Sequence, residues 1–341
     1  MTLTTAPDPR PRPAWGRLVR TSGTLIGFLI VVGYFWVNIP NTFMTVPNWL
    51  NISQQISMLA VVAFTMTIVM VMGDYDLSVG SMASLAGIVA ALWFRDQAGV
   101  VDAGILVIIG VGIALVVGLA GGLLNGVLVS VIGIAPFVAT LGTLTMFNGI
   151  AFLISGGATI FGRAIPTEFS SIARGGIVIG MVNERPLLFP NLTILALIVL
   201  VLVWILLEQT TFGRRLYAIG GNAEAARLSG VRVRTLRLIA FMLTGVGAAL
   251  AGLMLASRVA SANPTQGGGL MLDAIAAVFL GMTMSEEGEP HVLGTLIGVL
   301  FLGVLDNGLT QMSVNSYIRE ILIGAIIIAA VTISSLSRRK R

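Results

Sequence analysis

The sequence holds no cysteine, one histidine, His291, and one lysine, Lys340. Without thiols there is no disulfide, no cysteine nucleophile and no thiolate metal site, and a lone histidine argues against metal or redox chemistry. Because the lysine lies in the C-terminal "SRRKR", no G-x-x-x-x-G-K-[ST] loop exists to cradle nucleotide phosphates. If ATP drives this chain, another chain binds it. Charge is scarce as well: 10% of residues are Asp, Glu, Lys or Arg, against roughly 25% in a soluble domain. Hydrophobic residues make up 56% and the mean hydropathy is +0.96, values that belong in a bilayer.

What is present is a series of apolar stretches, each long enough to cross about 30 Å of hydrocarbon. The expected fold is an all-α polytopic membrane protein of about ten spans, some broken or re-entrant. The spans fall near 21–39, 54–73, 76–94, 103–131, 135–156, 190–207, 236–256, 270–284, 291–312 and 316–336. Residues 1–20, with Pro7, Pro9, Pro11 and Pro13 among Arg10, Arg12, Arg17 and Arg20, read as a disordered tail, and 21–337 as one transmembrane domain. The first apolar run is too long for a signal-peptide core and lacks a small-residue cleavage site, so it reads as retained. Basic residues concentrate in the tail, in the 208–237 loop and at the C-terminus. An even number of expected spans separates each from the next, which puts all three on the cytoplasmic side.

Two segments fit poorly as single straight helices. The 103–131 run is too long and is interrupted by "GLAGGLLNG"; "LMLDAIAAVFLGMTM" is short and holds Asp273. Each reads either as a broken or re-entrant helix lining a path, or as a long tilted helix and an interfacial one. Small residues recur at helical spacing at Gly80, Ser84, Gly87 and Ala91, at Gly118, Gly122 and Gly126, at Thr244, Ala248 and Gly252, and at Gly294 and Gly298. Such stripes let helix backbones approach closely.

The informative soluble stretch follows Gly220 and Gly221, which read as a flexible break. Asn222 is a good N-cap, Glu224 falls in the first turn, Arg227 near the end, and Gly230 suits the position just past it. This short helix, with Ala225 and Leu228 as an apolar patch, is marginal alone. It docks on a partner or lies against the bilayer surface.

The string "GGNAEAARLSGV" matches the G-G-N-x-x-A-A-x-x-S-G-[IV] pattern through which permease subunits of ribose-type ABC importers engage their ATPase. Further segments resemble that family in the same order: "DLSVGS" at 76–81, "PFVATLGTLTMFNGI" at 136–150, "LDAIAAVFLG" at 272–281 and "GTLIGVLFLGVLDNGL" at 294–309. The chain thus resembles the permease subunit of a ribose/xylose/arabinose-type ABC sugar importer along nearly its whole length. The resemblance implies a non-catalytic permease in the bacterial inner membrane, with cytoplasmic termini, paired with a second copy or a paralogue. It implies ABC ATPase subunits that carry the ATP and Mg, a periplasmic or lipid-anchored sugar-binding protein, and no cofactor on this chain. Gly220, Gly221, Asn222, Glu224, Ala225, Ala226, Leu228, Ser229 and Gly230 become the ATPase-coupling segment, within 208–235.

Ionisable groups inside the membrane are path candidates by default, and here they are Asp74, Asp76, Asp273 and Asp306. Asp76, with Ser78 beside it, is expected to N-cap the third span, hold its turn and line an inner gate; Asp74 stands outside the matched pattern. Asp273 is expected near the outer end of its span, meeting sugar hydroxyls or capping a re-entrant helix. Asp306 and Asn307 need a partner, which Thr310, Gln311 or Arg319 can supply. Thr140, Thr143 and Asn148 complete the gate candidates. The chain departs from the family pattern at Asp74, where a small residue is expected, at Asn148, where Arg is frequent, and at "MTMSEEGEPH", where a Gly-rich turn is usual. Glu286, Glu287 and Glu289 there read as a solvated turn or as a second ATPase contact. The loops at 157–189 and 257–269, bearing Arg163 and Arg174, read as a docking surface for the binding protein or as ordinary solvated charge. Two other readings stay open: an ion-coupled secondary transporter using Asp74, Asp76 or Asp306 as a relay, and an ABC permease for a nucleoside or another small polar solute.

Overall fold

A computed structural model describes residues 14–182, 184–285, 288–318, 320–325 and 328. In hydrocarbon a backbone must satisfy its own hydrogen bonds, and the apolar runs do so as helices. Helix α1 (Ala14–Asn38) and the short α2 (Pro40–Phe43) lead into α3 (Val46–Met70), α4 (Val79–Gln97), α5 (Ala103–Val127) and α6 (Pro136–Ser155). Next come β1 (Ile160–Phe161), α7 (Thr167–Arg174) and a hairpin of β2 (Gly176–Val182) and β3 (Arg185–Pro190). Helix α8 (Asn191–Trp204) precedes two short helices, α9 (Thr211–Gly221) and α10 (Ala223–Leu228), and then the long α11 (Val233–Val259). Strand β4 (Ser261–Ala262), antiparallel to β1, α12 (Leu270–Met282) and α13 (Val292–Gln311) follow. Helices α5 and α8 each run on into one π-helical turn, at Leu128–Ile132 and Ile205–Gln209.

Six helices are long and apolar enough to cross a membrane: α3, α5 and α8 with their π turns, α6, α11 and α13. Ten full spans are therefore not found among the described residues. The apolar part of α1, Thr24–Asn38, is short of a span, and α12 has 13 residues, about 20 Å at 1.5 Å per residue. Helix α4 has 19 residues but is diluted by Gly80, Ser81, Ser84, Gly87, Arg95 and Asp96, and most of it is enclosed by other helices. The expected boundary at residue 20 falls inside α1. Most of the 316–336 span, the C-terminal basic cluster, Glu286, Glu287 and Arg319 lie outside the described residues.

The glycine string of the 103–131 run does not break its helix. It is the contact surface for α11: Gly118 faces Gly245 and Ala249, Gly122 faces the backbone of Phe241 and Met242, and Gly126 faces Leu238. Helix α4 meets the same α11 where Gly87 faces Gly252. The α12–α13 pair is built alike, with Gly281 against Gly294 and Gly298 against Ala277.

The shortness of α12 has a structural cause. After β4 the chain continues as a turn that packs Gly267 against Gly80 at the start of α4, and Ser84 Oγ accepts the Gly267 N–H at 2.8 Å. The segment before α12 is thus non-helical backbone, buried at Ala262, Pro264 and Gly267 and exposed at Thr265, Gly268 and Gly269.

Contacts sort the helix termini into two ends. One carries α9, α10, the α3–α4 turn, the start of α11 and the residues just before α13, through Gly220 against Val71, Arg237 with Asp74, and Tyr217 with Pro290. The other carries α7, the hairpin and the start of α3, through Ser257 with Phe169, Gln54 with Ala173, and Gln311 with Asn48.

A side chain at Gly122 has nowhere to go: its Cβ would stand 2.8 Å from the Met242 Cα. Gly122→Val should therefore lower stability by about 1–3 kcal/mol, read as a lower melting temperature of the protein in detergent. Gly112→Val, where nothing lies within 4 Å, should leave it unchanged.

Candidate functional site

Helix α9 begins where Thr210 Oγ1 accepts the N–H groups of Phe212 and Gly213, and it continues through Gly221. The expected flexible break at Gly220 and Gly221 is corrected: Gly220 is helical and sits directly on the carbonyl of Val71, the residue that ends α3. Tyr217 Oη lies 3.0 Å from Glu208 Oε1 and 3.1 Å from the Pro290 carbonyl, one donor shared by two acceptors. Burial and the Glu208 carboxylate hold its ionisation above the ordinary tyrosine value. Helix α9 therefore touches the end of α3 and the residues that lead into α13.

The short helix read at 222–230 is α10. Asn222 Oδ1 accepts the Ala225 N–H at 2.9 Å, and Gly230 takes the left-handed conformation past its end, with φ +85°. Arg227 Nε donates to Glu224 at 3.1 Å and holds that carboxyl below its ordinary value. Ala226 faces inward, whereas Leu228 is 77% exposed. An apolar side chain is thus presented outward beside an ion pair, on a helix anchored from beneath. A hollow of about 560 Å³ adjoins α9, lined in part by Glu208, Glu289 and His291.

Between α3 and α4 the chain forms a buried polar knot. Asp76 Oδ1 accepts the Ser78 N–H at 2.9 Å and the Ser78 Oγ–H at 2.6 Å. Asn125 Nδ2, near the end of α5, donates to Ser78 Oγ at 2.8 Å, and Thr143 Oγ1 of α6 donates to Asn125 Oδ1 at 2.6 Å. Thr140 Oγ1 reaches the Tyr75 carbonyl at 3.3 Å. Asp76 thus holds the turn, but it is not the N-cap of α4; Ser78 occupies that position. Asn148 lies on α6 beyond this knot, and the described hydrogen bonds do not include it. Asp74 is paired instead with Arg237 of α11: Nε stands 2.6 Å from Oδ2 and Nη2 donates to Oδ1 at 3.2 Å. Asp273 is half-buried in the first turn of α12, where the helix dipole favours a carboxylate. Asp273 thus stands at the end of α12 away from the α9 end.

Asp306 and Asn307 join a separate cavity of about 640 Å³ at the opposite end of the bundle. Its walls are Asn48, Asn51 and Gln55 of α3, Asp306, Asn307, Thr310 and Gln311 of α13, with Thr42 of α2 and Arg258 of α11. Gln311 Nε2 donates to Asn307 Oδ1 at 2.7 Å and to Asn48 Oδ1 at 2.9 Å, while Thr310 Oγ1 bonds the Asp306 carbonyl. Beneath it, Gly303 of α13 is pressed on Ile56 of α3. Nearer the α9 end, the hydroxyls of Thr67 and Thr295 are 2.9 Å apart. Sequence reasoning missed the α3 wall, although the 3- and 4-residue spacing of Asn48, Asn51 and Gln55 marks one helical face.

Residues 48–331 match a family model described as branched-chain amino acid transport system / permease component. The chain belongs to this permease family. It is 36% identical to the ribose import permease protein RbsC of Bacillus subtilis (strain 168) over 310 residues, 91% of each chain. Against the RbsC of Escherichia coli (strain K12) the identity is 37% over 314 residues, 92% of each chain. The galactose/methyl galactoside import permease protein MglC of Escherichia coli (strain K12) is 34% identical over 331 residues, 95% of this chain and 96% of that one. No solved structure matches.

Replacing Arg237 by Met leaves the buried Asp74 carboxylate unpaired and should cost about 3 kcal/mol, the lower end for breaking a buried pair. Adding Asp74→Leu should recover most of that loss, a coupling read from the four melting curves of the double-mutant cycle.

Proposed function

We propose that this chain is the non-catalytic permease subunit of an ATP-driven importer of a ribose-like monosaccharide. Its proposed partners are ABC ATPase subunits, a periplasmic or lipid-anchored sugar-binding protein, and a second copy or paralogue of the permease. The family assignment and the sugar-importing relatives support the substrate class. The observation that carries the mechanism is the anchoring of α9 and α10. Their outer side offers Leu228, Glu224 and Arg227, and their inner side grips the end of α3 and the entry to α13. A push from an ATP-binding cassette on α10 is thereby delivered to two helices that pack directly on each other.

The end bearing α9 and α10 is the cytoplasmic one in this reading, because Arg214, Arg215, Arg227, Arg232, Arg234 and Arg237 cluster there. The hairpin end then faces the periplasm, where the cavity at Asp306 opens toward the binding protein. An ion-coupled mechanism is less well supported, since Asp74 is tied to Arg237 and Asp76 is engaged by Ser78 and Asn125.

Vesicles carrying the permease, its cassettes and its binding protein should take up a monosaccharide only with ATP; uptake by the permease alone under an ion gradient would refute the reading. Leu228→Glu should cut that uptake about tenfold or more, equivalent to at least about 1.4 kcal/mol of lost coupling, without changing the melting temperature. Uptake at the unmodified rate would remove α10 from the cassette interface.

A further inference from the structure

We infer that the β2–β3 hairpin lies in the headgroup layer of the leaflet on its side of the membrane and seats the aliphatic side chains of β2 in the lipid. This goes beyond the importer reading and requires only that the chain spans a bilayer.

From Gly176 to Val182 the strand β2 reads "GIVIGMV", without one polar side chain. Neighbouring residues of a strand point to opposite faces, and a ribbon with one face in water keeps that face polar. Here Ile177, Val178, Ile179, Met181 and Val182 are between 40% and 65% exposed. Both faces of β2 are therefore apolar, and the described residues leave both uncovered.

The length of α8 sets the depth of the hairpin. With its π turn this helix has 19 residues, about 28 Å at 1.5 Å per residue, against about 30 Å of hydrocarbon. A helix with no length to spare starts at the hydrocarbon edge, and α8 starts at Asn191. The hairpin is rooted on that residue. The Asn191 N–H donates to the Gly175 carbonyl at 3.1 Å, and its Nδ2 donates to the Ile172 carbonyl at 3.0 Å. Helix α3 reaches further out: Ser53 Oγ is 2.9 Å from Thr193 Oγ1 of α8, and α3 begins before it at Val46, roughly 10 Å beyond. The hairpin thus springs from headgroup level, inside the outermost turns of the bundle.

Its surroundings fit that level. Leu197, Ile198 and Leu202 are exposed on α8 below the root, and Ile172 is exposed on α7 beside it, so the apolar surface of β2 continues that of a spanning helix. Arg174 stands exposed next to the root, and Arg185 is exposed beside Glu184 at the far end; both cations can meet lipid phosphates. The core of a protein interface is enriched in aromatic residues and arginine, whereas β2 offers isoleucine, valine and methionine. An open strand edge does not enter hydrocarbon. The ribbon therefore stays among the headgroups, where water and phosphates satisfy its edge, while its side chains reach the acyl boundary. Held there, it fixes the depth of α8 at the end opposite α9.

Because the chain has no cysteine, Ile177→Cys, Ile179→Cys and Met181→Cys each carry a single spin label in the assembled transporter, in vesicles of phosphatidylethanolamine and phosphatidylglycerol. Collisions with oxygen, which concentrates in lipid, are compared with collisions with a water-soluble nickel chelate. The oxygen-to-nickel ratio at the hairpin should exceed severalfold the ratio at Asp96→Cys, at the exposed end of α4, and approach that at Leu202→Cys on α8. A ratio equal to that at Asp96→Cys places the hairpin in water and overturns the inference. Exclusion of both reagents overturns it too, because a second copy or another protein then covers the strand. Should one variant fail to fold, the other two carry the same test. The measurement needs no transport, so a failure to import any monosaccharide would defeat the importer reading alone.

Discussion

Close backbone contact along α11 is the constraint from which the rest of the bundle follows. Lipid gives helices no hydrophobic reason to associate, so packing and polar contacts must hold them together. Helix α11 meets α5 at Gly245 and Gly118, α4 at Gly252 and Ala83, and α3 at Gly247 and Thr65. Thr244 Oγ1 adds a hydrogen bond to the Thr65 carbonyl at 3.0 Å. Each neighbour is placed by a different small residue on one helix, which makes the arrangement of α3, α4 and α5 a single packing problem. With those positions fixed, the α3–α4 turn and the start of α12 have little freedom left.

Polar groups then settle where backbone geometry leaves them no water. The knot of Asp76, Ser78, Asn125 and Thr143 ties α4 to α5 and α6, and Ser84 satisfies the turn before α12. Both are ways of paying for irregular backbone inside a membrane. The seam between α3 and α13 is joined by Gly303 on Ile56, by the Thr67–Thr295 hydroxyl pair and by the Gln311–Asn48 hydrogen bond, with a polar cavity above. The end of α3 and the residues that lead into α13 both meet α9.

The sequence was most legible where the physics is local. Asn222 and Gly230 mark α10 because a cap and a left-handed stop act within a few residues. Apolar runs marked α3, α5, α6, α8, α11 and α13 because length and hydropathy decide a span. What stayed hidden depends on partners far along the chain. Asp74 looked like a free intramembrane charge, and Arg237 lies 163 residues away. Adjacent glycines looked like a hinge, yet Gly220 is helical because only its missing side chain admits the Val71 carbonyl. The glycines of α5 looked like a break for the same reason, their purpose being set by α11. The cavity assembles from the ends of helices, with Arg258, Gln55 and Asp306 far apart in sequence, so no single stretch announced it.

The central claim is that motion imposed on α10 by an ATP-binding cassette opens and closes the α3–α13 seam. Spin labels on thiols introduced at Asn51 and Thr310, on facing walls of the cavity, report the width of its mouth directly. In the assembled transporter their separation should differ between the nucleotide-free and ATP-bound states, and Leu228→Glu should abolish that difference. An identical distance distribution in both states, in an assembly that hydrolyses ATP and imports sugar, would contradict the account.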